Sequence, residues 1–339
     1  MAGIVSILAI SVFQDAGRSP KTINSERKSL MFEKIPLSGV SNTEWIRLRK
    51  SGIGGSDAGA ICGVNPYSSA MKVFRDKTSR ETEETDNEAV RQGHDLEDYV
   101  AQRFMEASGK KVRRSGLMYC HDKYPFMIAD VDRLVVGEDA GLECKTANAY
   151  NADKWKDGKI PLHYVIQCYH YMAVTGRKAW YIAAVILGLD FVYYRLEWDD
   201  ELVRYLIEVE ENFWNKYVMA GKMPEPDGSE SYGSVLEEYY PAAGKGKPLE
   251  LSGFEEKLGR REKILLQMGE LKQEQSRIEQ EVKLAMKGHG RAVSGKYRIS
   301  WGNVDTARLD MQRFREERPE LYERYAKVTS SRRFQIKAA

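Results

Sequence analysis

Two periods of apolar residues divide this chain into strands and helices. Residues 127–136 are rich in apolar and β-branched side chains, Gly137-Glu138-Asp139-Ala140-Gly141 breaks the run, and 142–146 resumes it. That is the pattern of two strands joined by a turn. A further strand is expected over 112–120, and a hairpin over 179–187 and 191–198 around Gly188-Leu189-Asp190. Helical spacing appears between them: Val90, Leu96, Val100 and Phe104 within 88–107, and Leu162, Val165, Ile166, Tyr169 and Met172 behind Pro161, which suits a first turn. Asn42 or Thr43 is placed to cap a helix carrying Trp45, Ile46, Leu48 and Arg49, 68–78 reads as helical, and 200–220 is a further helix.

The pattern changes after 220. Residues 221–250 hold much of the chain's proline and glycine and read as a linker, and 251–339 as a mainly helical, coiled-coil-like module. Ser252 and Glu255 form a capping box for a helix running to about 287, stopped by Gly288-His289-Gly290. Ile264, Met268, Leu271, Ile278, Val282 and Ala285 follow a 4-3 seam interrupted by Gln275, as in an arm or packing helix. A strand at 297–301 and a polar helix at 308–325 with Leu309, Phe314 and Leu321 follow. The tail Ser330-Ser331-Arg332-Arg333-Phe334 suits a phosphate backbone, an acidic partner or a strand packed on the arm. At the other end, 1–34 reads as a disordered extension, with Met31 as an alternative start, and 79–88 as a solvated acidic segment.

Charges interrupt the central hairpin where apolar side chains belong. Asp130 and Asp132 stand two apart on the first strand, Glu143 and Lys145 two apart on the second, so each pair is expected to share a face. Such groups are costly to bury unless they pair or hold a cation. The plain reading is a solvated salt bridge. The chemical one is a site where carboxylates bind a hard divalent cation and the ammonium orients or helps activate a water for phosphodiester cleavage.

Composition narrows the partners. The chain has 339 residues, 52 Lys and Arg against 50 Asp and Glu, a net charge of +2, and 42% hydrophobic residues. It is therefore no polycation, and any nucleic-acid site must be a local basic patch. Cys62, Cys120, Cys144 and Cys168 form no CxxC pair, against a zinc ribbon or iron–sulfur cluster and in favour of a reducing cytoplasm. The apolar run 3–13 is too short to span a bilayer and has no basic residues before it, so no membrane role is expected. The glycine-rich stretch Ser51-Gly-Ile-Gly-Gly-Ser56 before a helix is an anion site or a simple Ser56 or Asp57 cap. His163 and His170, seven apart, are expected singly at the surface or in DNA contact rather than as a zinc pair.

Read in order, Trp45, Arg49, Ile53-Gly54-Gly55-Ser56-Asp57-Ala58, Asn65-Pro66-Tyr67, Gly93 with Glu97, Asp132, Glu143-Cys144-Lys145, and Tyr164 with Gln167 resemble the phage lambda exonuclease and YqaJ-type viral recombinase family of the PD-(D/E)XK nucleases. The resemblance spans roughly 45–200. It implies an α/β, restriction-endonuclease-like core over 35–220: a mixed central sheet flanked by helices. It implies a Mg2+-dependent 5′-to-3′ exonuclease on linear double-stranded DNA, with Mn2+ as a substitute, in a bacterial host's cytoplasm. Asp132, Glu143 and the Cys144 carbonyl would hold metal, with Glu97 joining through water. Lys145 would act on the water, Gln167 and Tyr164 would line the site, and Arg49 and Ser56 would grip the 5′-phosphate. A single-strand annealing protein and a homo-oligomeric ring are the implied partners. Val131 replaces the family's proline, and Asp130 stands where a phosphate-contacting serine can occur; that carboxylate would repel phosphate unless a metal or Arg133 neutralises it. A structure-specific endonuclease and a non-catalytic DNA-binding scaffold are the alternatives.

Overall fold

The computed structural model describes residues 34–79, 88–244, 246–329 and 332–337. The expected extension before Lys34, most of the acidic segment 79–88, and Ser330 and Ser331 lie outside the described residues. The chain divides into two compact units, Met1–Tyr240 and Pro241–Ala339.

The first unit begins with β1 (Lys34–Pro36) and α1 (Asn42–Lys50). Ser41, not Asn42 or Thr43, caps α1, because Glu44 three residues on completes a reciprocal box with it. Next come α2 (Gly55–Ile61), α3 (Ala70–Thr78) and α4 (Glu88–Ser108). The expected strand over 112–120 is two strands, β2 (Val112–Arg113) and β3 (Leu117–Cys120), because Gly116 takes a left-handed φ of 65° between them.

The run 127–136 is likewise divided. β4 (Ile128–Asp130) pairs with β3 in a small antiparallel sheet, order β1-β3-β4, while β5 (Arg133–Val135) joins a larger one. The chain changes sheets at Val131-Asp132, so Asp130 and Asp132 do not share a face as expected. The larger sheet has the order β2-β5-β6-β7-β8, with β6 (Ala140–Ala147), β7 (Ala179–Ile186) and β8 (Asp190–Glu197). Only β6 and β7 run parallel in it. A parallel neighbour needs a crossover, and α5 (Leu162–Thr175) supplies it.

Strand alternation splits the core in two. Ala140, Leu142 and Cys144 face α4, against Val100, Ala101 and Phe104. Trp180, Ile182, Ala184 and Ile186 face α5, against Ile166, Tyr169 and Met172. Gly141 is required here: a Cβ on it would lie 2.3 Å from the Trp180 ring. α6 (Asp200–Phe213), capped by Asp199 and prolonged by a π-helical turn over Trp214–Met219, packs beside α5.

The stretch expected as a linker holds α7 (Glu230–Tyr239). Tyr232 and Val235 bury themselves with Met71, Val73, Phe74 and Trp214, so a proline- and glycine-rich lead-in conceals a packing helix. The second unit contains α8 (Glu255–Met286), the hairpin β9 (Arg291–Ser294) and β10 (Tyr297–Ser300), α9 (Met311–Glu317) and α10 (Pro319–Tyr325). Ser252 does not cap α8: Gly253 turns with φ 80°, and Phe254 takes the cap position. The seam residues Ile264, Met268, Leu271 and Ile278 are exposed.

His170 departs from expectation: it is fully buried, while His163 is half-buried beside Tyr164. His170 Nδ1 lies 2.8 Å from the Glu210 carboxylate on α6, and Nε2 donates to the Ile128 carbonyl of β4 at 2.8 Å. Burial alone would depress the imidazole's pKa, but Glu210 outweighs it and raises it. Burial also raises Glu210. The imidazole thus ties α5, α6 and the small sheet together through a bond at each ring nitrogen.

Replacing one partner strands the other charge, so His170→Ala should cost about 3–5 kcal/mol in urea denaturation. Both raised pKa values give the same sign. Stability from the histidine is full below about pH 6.5 and is lost as pH rises through its folded value. A His170→Leu/Glu210→Leu protein should lack that slope; retention of the full slope would dissociate it from this pair.

Candidate active site

The site is built where β5 meets β6. Arg133 pairs with Leu142, so the preceding residue, Asp132, falls level with Glu143. Asp132 leaves the ladder, and its Oδ2 instead accepts the Cys144 N–H at 2.7 Å. Arg133 holds this bend: its guanidinium donates to the Asp132 carbonyl at 2.6 Å and pairs with Asp98 on α4.

Alternation along β6 sends the Cys144 side chain to α4, and Glu143 and Lys145 to α5. Those two share a face as expected, with Lys145 Nζ 2.5 Å from Glu143 Oε1. Gln167 of α5 donates Nε2 to the same oxygen at 2.7 Å, and that nitrogen lies 2.9 Å from the Tyr171 hydroxyl. Tyr164 stands one turn before Gln167, with Lys145 Nζ 4.9 Å from its ring centre and Trp155 stacked on it at 5.7 Å. Gly55 lets α2 close over this face, since a Cβ there would lie 2.5 Å from the Tyr171 ring.

The electrostatics are those of crowded, buried acids. Glu143 is pushed up to about 8 by burial and by the Asp132 carboxylate. Burial likewise raises Asp132, and burial with Asp132's charge raises Glu97 on α4. Glu97 is half-buried and bonded to His94 Nδ1 at 3.0 Å. Burial would lower the Lys145 pKa, but Glu143 and Asp132 outweigh it and raise it, so the ammonium stays charged.

Glu143 Oε2 is buried with no hydrogen-bond partner. An unpaired buried carboxylate oxygen is expensive, and an oxygen-seeking cation would relieve it. Among the described residues no three Asp, Glu, His or Cys side chains close around a common point. An ion held by one or two carboxylates, completing its shell with carbonyl, water or phosphate oxygens, is the arrangement Mg2+ favours. The residues present therefore fit a hard divalent ion.

A second cluster lies on α1 and α2. Gly54 caps α2 and donates its N–H to Asp57 at 2.9 Å, so neither Ser56 nor Asp57 is the cap. Ser56 is exposed and accepts from Arg49 Nη2 at 3.0 Å. Arg49 lies over the Trp45 ring at 5.1 Å, and Lys77 donates to the Arg49 carbonyl at 2.8 Å while pairing with Asp57 at 2.6 Å. Asp130 forms no ion pair with Arg133 among the described residues; its carboxylate accepts the Trp45 indole N–H at 2.8 Å. That carboxylate therefore orients the ring beneath Arg49. Its partner Trp45 is 85 residues away, so no local signal revealed the bond. Tyr171 was also missed, although its place four residues after Gln167 puts both on one helix face.

The fit to a cation is testable without DNA. In Mn2+ titrations, Glu143→Gln should weaken binding at least tenfold, and Gln167→Leu by about 10–100-fold through loss of carboxylate orientation. Unchanged binding in both would remove Glu143 from the metal site.

The matching sequences follow this geometry. Residues 44–178 match the model of the YqaJ-like viral recombinase domain. The uncharacterized protein YqaJ of Bacillus subtilis strain 168 is 38% identical over 305 residues, covering 88% of this chain and 95% of that protein. Among solved structures, LHK-Exo in complex with dAMP is similar at 21% identity and a TM-score of 0.46, over 58% of this chain and 97% of that one. A phage-related exonuclease from Haemophilus somnus 129PT is similar at 12% identity and a TM-score of 0.36, over 52% of this chain and 100% of that one. No described helix is long and apolar enough to cross a membrane. With the relative matched over nearly its whole length and the domain model covering the Asp132–Lys145 site, the chain belongs to the YqaJ-like viral recombinase family.

Proposed function

We propose that this chain is a divalent-metal-dependent deoxyribonuclease, a 5′-to-3′ exonuclease acting on linear duplex DNA. The observation that carries the reading is the unpartnered, buried Glu143 Oε2 beside Asp132 and a charged Lys145. Asp132, Glu143 and the Cys144 main-chain carbonyl would hold Mg2+ or Mn2+, with Glu97 joining through water. When bound, the ion would polarise the scissile phosphate and acidify the attacking water.

The remaining work falls to side chains. Lys145 keeps its proton, so it acts as a fixed positive charge that orients the water and stabilises the negative charge growing at phosphorus, rather than as a base. Gln167 and Lys145 both occupy Glu143 Oε1, which leaves Oε2 for the ion. Tyr164 forms the apolar wall beside Lys145. Arg49, seated on Trp45 and bonded to Ser56, presents a guanidinium fork to a terminal 5′-phosphate. With Asp130 engaged by the indole, its carboxylate is less of an obstacle to that phosphate. Resection in this direction would leave a 3′ single strand for an annealing protein.

The test is a Mg2+ digestion time course on linear duplexes with 5′-phosphate or 5′-hydroxyl ends and on nicked circles. The phosphorylated linear duplex should disappear first. Lys145→Ala should slow it on the order of 10²–10³-fold, and Arg49→Ala should erase the preference for phosphate. Cutting of circles would replace the exonuclease by an endonuclease. No cleavage by folded protein with either metal would leave a DNA-binding scaffold.

A further inference from the structure

We infer that the β9–β10 hairpin of the second unit is a separate DNA-binding surface, one that grips the backbone of duplex DNA. Charge divides unequally between the two units. Residues 1–240 carry 30 Lys and Arg against 36 Asp and Glu, whereas 241–339 carry 22 against 14. The near-neutral total thus conceals a basic second unit with an excess of eight positive charges. The hairpin concentrates the imbalance: residues 287–304 include Lys287, Arg291, Lys296 and Arg298 and no Asp or Glu.

The register places these charges. Ser300 pairs with Arg291 and Arg298 with Val293, so both arginines, Val293 and Ser300 share one face. All four are exposed. Neither arginine forms an ion pair among the described residues. Tyr297, Ile299 and Ala292 fall on the other face, where Ile299 and Ala292 are partly covered. Like charges gathered without a compensating acid repel one another, and a polyanion relieves that repulsion.

Two features select duplex DNA. A two-stranded ribbon is narrow enough to enter a major groove. Single-strand sites combine positive charge with stacking rings, whereas here Tyr297 lies on the face opposite the arginines. Guanidinium forks with a hydroxyl beside them suit phosphate oxygens. The surface would add charge-driven affinity to a chain whose first unit is net acidic. It is independent of the chemistry at Glu143, and its test requires no cleavage.

The experiment measures fluorescence anisotropy of a labelled blunt duplex with the full chain in EDTA, across a salt series. Arg291→Ala/Arg298→Ala should weaken binding about tenfold and reduce the slope of log affinity against log salt by about 2. Arg291→Lys/Arg298→Lys should retain the slope. Lys263→Ala/Arg277→Ala on α8 removes the same charge elsewhere in the unit and should change affinity less than about twofold. Three outcomes would overturn the inference. The alanine pair could bind like the parent, the α8 pair could weaken binding equally, or unlabelled single strand could displace the duplex as well as duplex does. Each is read without metal, so a failure of the nuclease proposal leaves this result standing on its own.

Discussion

The burial of Glu143 beside Asp132 is the constraint on which the first unit depends. Two carboxylates in an apolar setting each resist ionisation, and each makes the other's charge more costly. One ammonium, from Lys145, offsets part of that cost. One amide, from Gln167, satisfies one oxygen and leaves its neighbour without a partner. A fold designed only for stability would place apolar groups here. Retaining the acids makes sense where a cation and a phosphate complete the arrangement.

Holding such a cluster requires a stiff frame around it. The parallel β6–β7 pair and its α5 crossover set the distance between Glu143 and Gln167. Gly141 admits Trp180 against one strand, and Gly55 admits α2 against Tyr171. Behind the site, His170 joins α5 to α6 and to the small sheet through Glu210 and Ile128. Arg133 and Lys77 do similar work at the edges, each pairing a buried cation with an acid on another element while bonding a main-chain carbonyl. These ion pairs fix geometry more than they add stability.

The two units differ in electrostatic character, and that difference gives the proposals their physical logic. The first unit pairs its buried Glu143 with Lys145 and carries 36 Asp and Glu against 30 Lys and Arg over residues 1–240. The second exposes an acid-free basic hairpin, which follows a long helix whose seam residues Ile264, Met268, Leu271 and Ile278 are exposed. A net acidic unit repels a phosphate backbone at long range. A basic second unit would attract one, and the contact proposed for Arg49 and Ser56 would add discrimination at the chain end.

The sequence by itself determined the pieces whose cause is local. Period-two and period-3.6 patterns located the strands and helices, because burial on one face imposes those spacings. They also put Glu143 and Lys145 on a common face, and Gln167 with Tyr164 on neighbouring turns. Order and spacing of short motifs identified the family. Tertiary structure alone decided what depends on residues far apart. It divided 127–136 between two sheets, engaged Asp130 with Trp45, sealed His170 against Glu210, and packed Tyr232 and Val235 from within a glycine- and proline-rich stretch. Each of those outcomes is set by which long-range partner satisfies a buried polar group or fills an apolar gap, and no periodicity along one strand or helix encodes that choice.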